Sequence, residues 1–203
     1  MAYRYFSVEP LPVNEVDYPL CVTLSGDEAH HLLHVMRVKE GEPLILFDGS
    51  GAEFDTVIVA TKKKELTAEI HARRVVNREL DTEISLAVAL PKGDRQKWLI
   101  EKLVELGASA FIPLDSERSV AKSGSGTADR LNRVVVEASK QCGRNTLMRL
   151  EEPISTKVLF SSMFTEKPEV VEMLKIIAHP GGKTLGEILR MSKNLNQEQC
   201  QEQ

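Results

Sequence analysis

The chain predicts two fold classes in tandem: a small all-β domain, then an α/β domain with a mostly parallel sheet. Three observations lead there. Short strand-like segments with turn residues between them fill the first part of the chain around a single helix-patterned stretch. The segment Arg73 to Glu83 is polar and charged, as an inter-domain connection is. Beyond it, apolar strand-like runs alternate with helix-patterned runs, the order expected of α/β proteins. The expected domains are residues 1–74 and 82–203.

In chain order, Tyr3 to Val8 and Leu20 to Leu24 read as strands. Ser25-Gly26-Asp27-Glu28 has the form of a capping box and starts a helix through Val35. Pro43 to Phe47 and Glu53 to Ala60 are strand-like, with the turn Asp48-Gly49-Ser50-Gly51 between them. Leu66, Ala68, Ile70 and Ala72 alternate with polar residues, the period of a half-buried strand. Several short strands around one short helix point to a small β-barrel.

After the connection, Ile84 to Leu90 is apolar nearly throughout, which predicts a parallel strand buried on both faces. Gln96 to Leu106 reads as a helix with Asp94 as its cap, Gly107 past its end and Leu99, Leu103 and Leu106 on its buried face. Ala110 to Leu114 is a strand, and Ala128 to Cys142 a second helix. Further strands are expected near Leu147 to Leu150 and Lys175 to Ala178. His179-Pro180-Gly181-Gly182 would then close the last strand at its carboxyl edge, where open α/β sheets bind ligands. His179, Pro180 and Gly181 are therefore the candidate cofactor contacts.

Composition narrows the function. The 203 residues carry a formal charge of −4, which argues against a generic polyanion binder. Arg118 to Arg149 is nonetheless rich in basic residues, opposed only by Asp129 and Glu137, and such a local excess suits a nucleic-acid or phosphate site. No apolar run approaches bilayer length, and the start lacks a signal-peptide pattern. The three cysteines form neither a disulfide framework nor a zinc motif, so a reducing cytoplasm is expected.

On the second helix, Arg130, Arg133, Glu137, Gln141 and Arg144 fall within about 80° of arc at helical spacing. Spacing alone fits a solvated face equally well. His30 and His34 lie four apart with Arg37 a turn further on, a polar face suited to phosphate or to the second domain. A metal is not expected there, for want of a third ligand and of the metalloprotease arrangement. Lys62-Lys63-Lys64 reads as a solvated hairpin tip, and Trp98 as core or interface. Gly124-Ser125-Gly126 lacks the Lys-Ser/Thr of a phosphate loop, and Ser116, Ser119 and Ser123 lack a partner His.

Together these segments resemble the RsmE family of bacterial methyltransferases, which modify N3 of a uridine in 16S ribosomal RNA. The resemblance rests on Gly26 to Arg37 with Phe47-Asp48-Gly49-Ser50-Gly51 in the first domain. In the second it rests on Lys92-Gly93-Asp94-Arg95, Glu105-Leu106-Gly107, Ser116-Glu117-Arg118-Ser119 and Glu137 to Arg144. It implies a PUA-like β-barrel, a SPOUT domain with a trefoil knot, a homodimer, S-adenosyl-L-methionine as cofactor and 16S rRNA in the small ribosomal subunit as partner. The family's Gly-Pro-Glu-Gly-Gly cofactor loop and its later Leu-Arg-x-Glu-Thr-Ala segment are missing, so an incomplete knot is expected.

Under this resemblance the candidate RNA contacts are His30, His34, Arg37, Lys92, Arg95, Arg130 and Arg133. The candidate catalytic group is Arg118, Glu137, Gln141 and Arg144, with Arg118 and Arg144 favouring the uracil anion. Glu137 would accept the proton or orient an arginine, and a carboxylate among arginines is a poor base, which favours the second role. The rival readings are a non-catalytic RNA-binding protein with a decayed SPOUT domain, and an α/β enzyme acting on a phosphorylated small molecule.

Overall fold

The computed structural model describes residues 3–11, 18–117, 126–163 and 174–191. The chain divides into two compact units, Met1–Thr156 and Lys157–Gln203. The first holds two sheets and the helices that cover them.

The N-terminal sheet has five strands: β1 (Tyr3–Phe6), β2 (Leu20–Leu24), β3 (Pro43–Phe47), β4 (Ala52–Thr61) and β5 (Leu66–Val75). Their spatial order is β1-β3-β4-β5-β2. Only β1 and β3 run parallel; the other neighbours are antiparallel, and β4 shifts register against β5 at Asp55/Thr56 and Ile58/Ala60. Such irregularities bend a strand and increase its twist. The end strands β1 and β2 do not pair with one another, so the expected barrel is not closed by hydrogen bonds among the described residues. Leu24, Leu32, Leu44, Leu46, Phe54, Ile58, Leu66 and Ile70 fill the interior of this sheet.

Between β2 and β3 the chain forms α1 (Gly26–His30), which passes directly into a π-helical turn over His31–Met36. The capping box does not form, because the Ser25 side chain makes no cap bond and Glu28 turns instead to Lys140. Arg37 ends the turn in a left-handed conformation, φ 55°.

The second sheet is built from β6 (Ser85–Val88), β7 (Ala110–Asp115), β8 (Arg149–Leu150) and β9 (Ile154–Ser155), all parallel to β7. Helices α2 (Arg95–Glu105) and α3 (Thr127–Cys142) connect these strands and pack on one another. Four expectations need correction here. Strand β6 pairs only with β7, so it lies at an edge and is half-buried, with Ile84 just before it exposed. On α2 Gln96, Ile100 and Val104 are buried and Leu99 and Leu103 pack partly buried beside them, as expected; Leu106 is exposed, and Trp98, 59% exposed, is not core. Asp94 precedes α2 without a side-chain cap bond. Among the described residues, Lys175 to Ala178 pair with no strand and are exposed. An apolar run becomes a strand only where a ladder partner takes up its backbone groups.

Gly107 does end α2 as its sequence suggests. It sits at φ 87°, donates to the Val104 carbonyl, and lets Ala108 donate to Leu103, the paired bonds of a Schellman end. Gly49 is constrained from outside. It has φ 87°, and a Cβ there would lie 3.3 Å from Leu147. The Asp48–Gly51 turn is thus pressed against the segment after α3, where Gly51 donates to Asn145 and Ser50 bridges to Thr146.

In the second unit, α4 (Thr156–Met163) starts at the dividing line, and residues 185–191 are helical. No helix among the described residues is long and apolar enough to cross a membrane.

Candidate functional site

The loop after β6 is fixed by one amide. Gln96 is buried on α2; its Nε2 donates to the Pro91 carbonyl at 2.8 Å, and its Oε1 accepts from Arg130 of α3. Both ends of this side chain are used, so the 91–95 loop and the start of α3 form one rigid edge. Lys92 and Arg95 stand exposed on that edge, and Arg133 follows Arg130 along the exposed side of α3. Beneath them an apolar cleft of about 410 Å³ is lined by Val88, Ala89, Pro91, Arg95, Trp98 and Leu99. Its place at the carboxyl end of β6 is where open α/β sheets take ligands.

The structure separates the remaining members of the helical stripe. Glu137 is exposed on α3 and receives Lys140 Nζ at 2.9 Å, and Gln141 is exposed near the helix end. Arg144 is off the stripe altogether, because α3 ends at Cys142 and Gly143, at φ 82°, turns the chain away. Its guanidinium is buried. It donates to the Val104 and Ala108 carbonyls at 3.0 Å each and pairs with Glu79. In this position Arg144 ties the end of α2 to the connecting segment and faces no open surface. Arg118 lies outside the described residues.

His30 and His34 are exposed with ring centroids 4.5 Å apart, and Arg37 is exposed at the end of the same turn. Among the described residues no group of three His, Cys, Asp or Glu could hold a metal ion. In the second unit, His179 to Gly182 form an exposed turn. Gly181 donates to His179 Nδ1 at 3.1 Å and Gly182 to the His179 carbonyl at 2.9 Å. The N–H groups of both glycines are therefore spent within the turn.

Two ionic clusters join the N-terminal sheet to the α/β part, and neither was singled out from sequence. In the first, the buried Glu53 carboxylate receives Arg4 and Arg78 at 2.9 Å each and Arg74 at 3.2 Å. Arg4 also reaches the Arg144 carbonyl at 3.0 Å and the Asn145 side chain, and lies 4.4 Å over the Phe47 ring. Burial alone would push the Glu53 carboxyl up, but hydrogen bonds from Arg78 and Arg4 hold it below the usual value. Burial lowers the Arg4 guanidinium, against the pull of Glu53.

In the second cluster the nearly buried Lys140 reaches Glu28 of α1 at 3.0 Å and lies 4.7 Å over the Tyr5 ring. Burial raises Glu28 despite Lys140. Burial, followed by the Glu28 and Glu137 charges, pushes the Tyr5 hydroxyl up to about 12. The one sequence signal for Glu53 is a carboxylate between the apolar Ala52 and Phe54. Lys140 reads from sequence as one more basic residue.

Fold and site together define a protein in which a small β-sheet is clamped by ionic clusters to an α/β sheet with a cationic carboxyl edge. A family model described as an RNA methyltransferase domain matches residues 78–201, and one described as an RNA methyltransferase PUA domain matches residues 24–70. The chain belongs to this RNA methyltransferase family. It is 28% identical to the ribosomal RNA small subunit methyltransferase E of Bacillus subtilis, over 94% of this chain and 85% of that protein. With the Synechocystis protein of the same name it shares 31% identity over 95% of this chain and 60% of the relative's length. A putative methyltransferase from Legionella pneumophila, solved with bound SAM, superposes with a TM-score of 0.79 at 30% identity, over 92% of this chain and 74% of that one.

Proposed function

We propose that the protein methylates a base of small-subunit ribosomal RNA in the cytoplasm with S-adenosyl-L-methionine as donor, and that the base is a uridine modified at N3. The observation that carries the reading is the edge held by Gln96 and Arg130. It presents Lys92, Arg95, Arg130 and Arg133 in a chain matched by both the methyltransferase and the PUA family models. The division of labour we propose gives residues 1–74, a PUA-like barrel with His30, His34 and Arg37, to RNA binding. Residues 82–203, a SPOUT domain with an incomplete trefoil knot, carry the chemistry within a homodimer.

The donor would supply a methyl group, and uracil N3 must first lose its proton to solvent to become nucleophilic. What this chain supplies is electrostatic. Cations placed along the base and its phosphates favour the uracil anion over the neutral base, and a fixed edge spares reorganisation in the transition state. Arg118 is the proposed cation beside the base. Glu137 already receives Lys140, so its role in this reading is to position side chains on α3, with Gln141 beside it. Arg144 acts through the backbone it braces.

The choice of donor is supported by the Legionella relative. His179, Pro180 and Gly181 do not by themselves fit a finished cradle for it, because the turn's glycine N–H groups are already bonded inside the turn.

The experiment is methyl transfer from labelled donor to undermethylated small-subunit RNA, followed by nucleoside analysis for 3-methyluridine. Label in another nucleoside would refute the uridine assignment. Tight RNA binding without transfer would favour a binding protein with a decayed domain.

A further inference from the structure

A second concavity lies away from the cationic edge. A cleft of about 640 Å³ opens between the end strands β1 and β2 and the middle of α3. Phe6, Leu24 and Val136 give it apolar walls, and Asn132, Arg133 and Glu137 line it from α3. At 1.5 Å rise per residue, positions 132–137 lie about 8–15 Å along α3 from its start at Thr127. The cleft therefore sits below the carboxyl edge of the sheet, and Arg133 stands between the two.

Glu9, Asp27 and Glu28 line it beside Glu137, and Arg133 is the cation among its lining residues, so it suits a group that presents donors and acceptors together. Among the described residues nothing pairs with the Arg133 guanidinium, and Lys140 alone reaches the Glu137 carboxylate, through Oε1. The two side chains stand four apart on α3, about 6 Å between Cβ atoms. A half-exposed carboxylate with a free oxygen accepts two adjacent donors, and a guanidinium fork gives two to adjacent acceptors. Among the RNA bases only guanine has both edges: N1–H beside its 2-amino group, and O6 beside N7. Adenine and cytosine offer the carboxylate a single amino group, and uracil a single N–H between carbonyls. The apolar walls suit the faces of a ring, and sequence-specific RNA recognition is mostly of unpaired, unstacked bases.

We infer that this cleft takes an unpaired guanine of the substrate RNA, with Glu137 accepting from N1–H and the 2-amino group and Arg133 donating to O6 and N7. The inference rests on the RNA-methyltransferase reading and adds a base-reading subsite to it.

The test uses a labelled uridine hexamer carrying one central guanosine. Companion hexamers carry inosine, adenosine, cytidine or uridine at that place, and binding is followed by fluorescence anisotropy at fixed salt. Guanosine should bind about tenfold tighter than the others, inosine included, since inosine lacks only the 2-amino group. Glu137→Gln replaces one acceptor with a donor, and Thr23→Trp fills the cleft from β2. Each should bring all five hexamers together at the weaker affinity. Equal binding of all five by the unaltered protein would overturn the inference and leave RNA binding intact. A guanosine preference that survives both variants would place base reading elsewhere and overturn it as well. Failure of every hexamer to bind would overturn the inference and the RNA-binding reading together.

Discussion

Replacing Glu53 with Gln removes the charge at the centre of the first ionic cluster while keeping its shape. The carboxylate is 3% exposed, and it holds Arg4 at 13% exposure with Arg78 and Arg74 at 39% and 49%. Breaking a buried pair from one side costs about 3–5 kcal/mol, because the partner's charge is left without compensation. Here only Arg4 is deeply buried; the other two arginines regain water, and their contribution is small. The expected loss is about 3 kcal/mol, or roughly 6–12 °C in Tm for a chain of this size. The loss should depend on pH. Glu53 titrates below its ordinary value of 4.5 in the fold, so its stabilisation is complete above pH 4.5 and is lost as pH falls through the lowered value. Glu28 is shifted the other way, so it favours the fold below 4.5 and loses that contribution as pH rises through its raised value. Thermal melts of both proteins from pH 7 to pH 3.5 should show the gap widest near neutrality and narrowing below 4.5. A gap under 2 °C at pH 7, or one that grows on acidification, would refute the reasoning.

The other expectations concern RNA, the donor and the junction. Lys92→Ala on the exposed 91–95 loop should weaken RNA binding and lower the salt slope by about one, whereas Lys63→Ala on the exposed β4–β5 turn should change it less; equal slopes would refute the assignment. Arg144→Ala should leave the slope unchanged and lower stability by about 3 kcal/mol, since it strands the Val104 and Ala108 carbonyls and Glu79; a changed slope with unchanged melting would reverse that account. The His179–Gly182 turn should contribute little to S-adenosyl-L-methionine binding, because its glycine N–H donors are spent inside the turn; a large loss of donor binding in His179→Ala would refute this. Lys140→Met should lower Tm, because Glu28 is left buried without its partner; an unchanged melt would show that Glu28 had regained water.

The sequence by itself determined most of the local elements. Strands β2 and β3 match their expected bounds, and the Gly107 end of α2 matches its expected form, because alternation and helix-end chemistry are encoded within a few residues. The family motifs were also legible, since they are short and fixed in order. The depth of burial along α2 was legible only in part, because Leu99 and Leu103 pack against the core as expected while Leu106 is exposed and Gln96, Ile100 and Val104 lie deepest. Only the partner surface sets that depth. Arg144 illustrates the same limit. Extending the helical period past Cys142 put it on the stripe of Arg130, Arg133, Glu137 and Gln141, but Gly143 breaks the helix and the guanidinium is drawn inward by carbonyls from α2 and by Glu79. The pairings of Glu53 with Arg4 and of Glu28 with Lys140 join residues 49 and 112 positions apart. No local pattern encodes such a pairing, because a carboxylate's worth depends on how dry its surroundings are and which cation the fold brings to it. Tertiary structure alone decided that these charges hold the two sheets together and that Arg133 and Glu137 share a cleft.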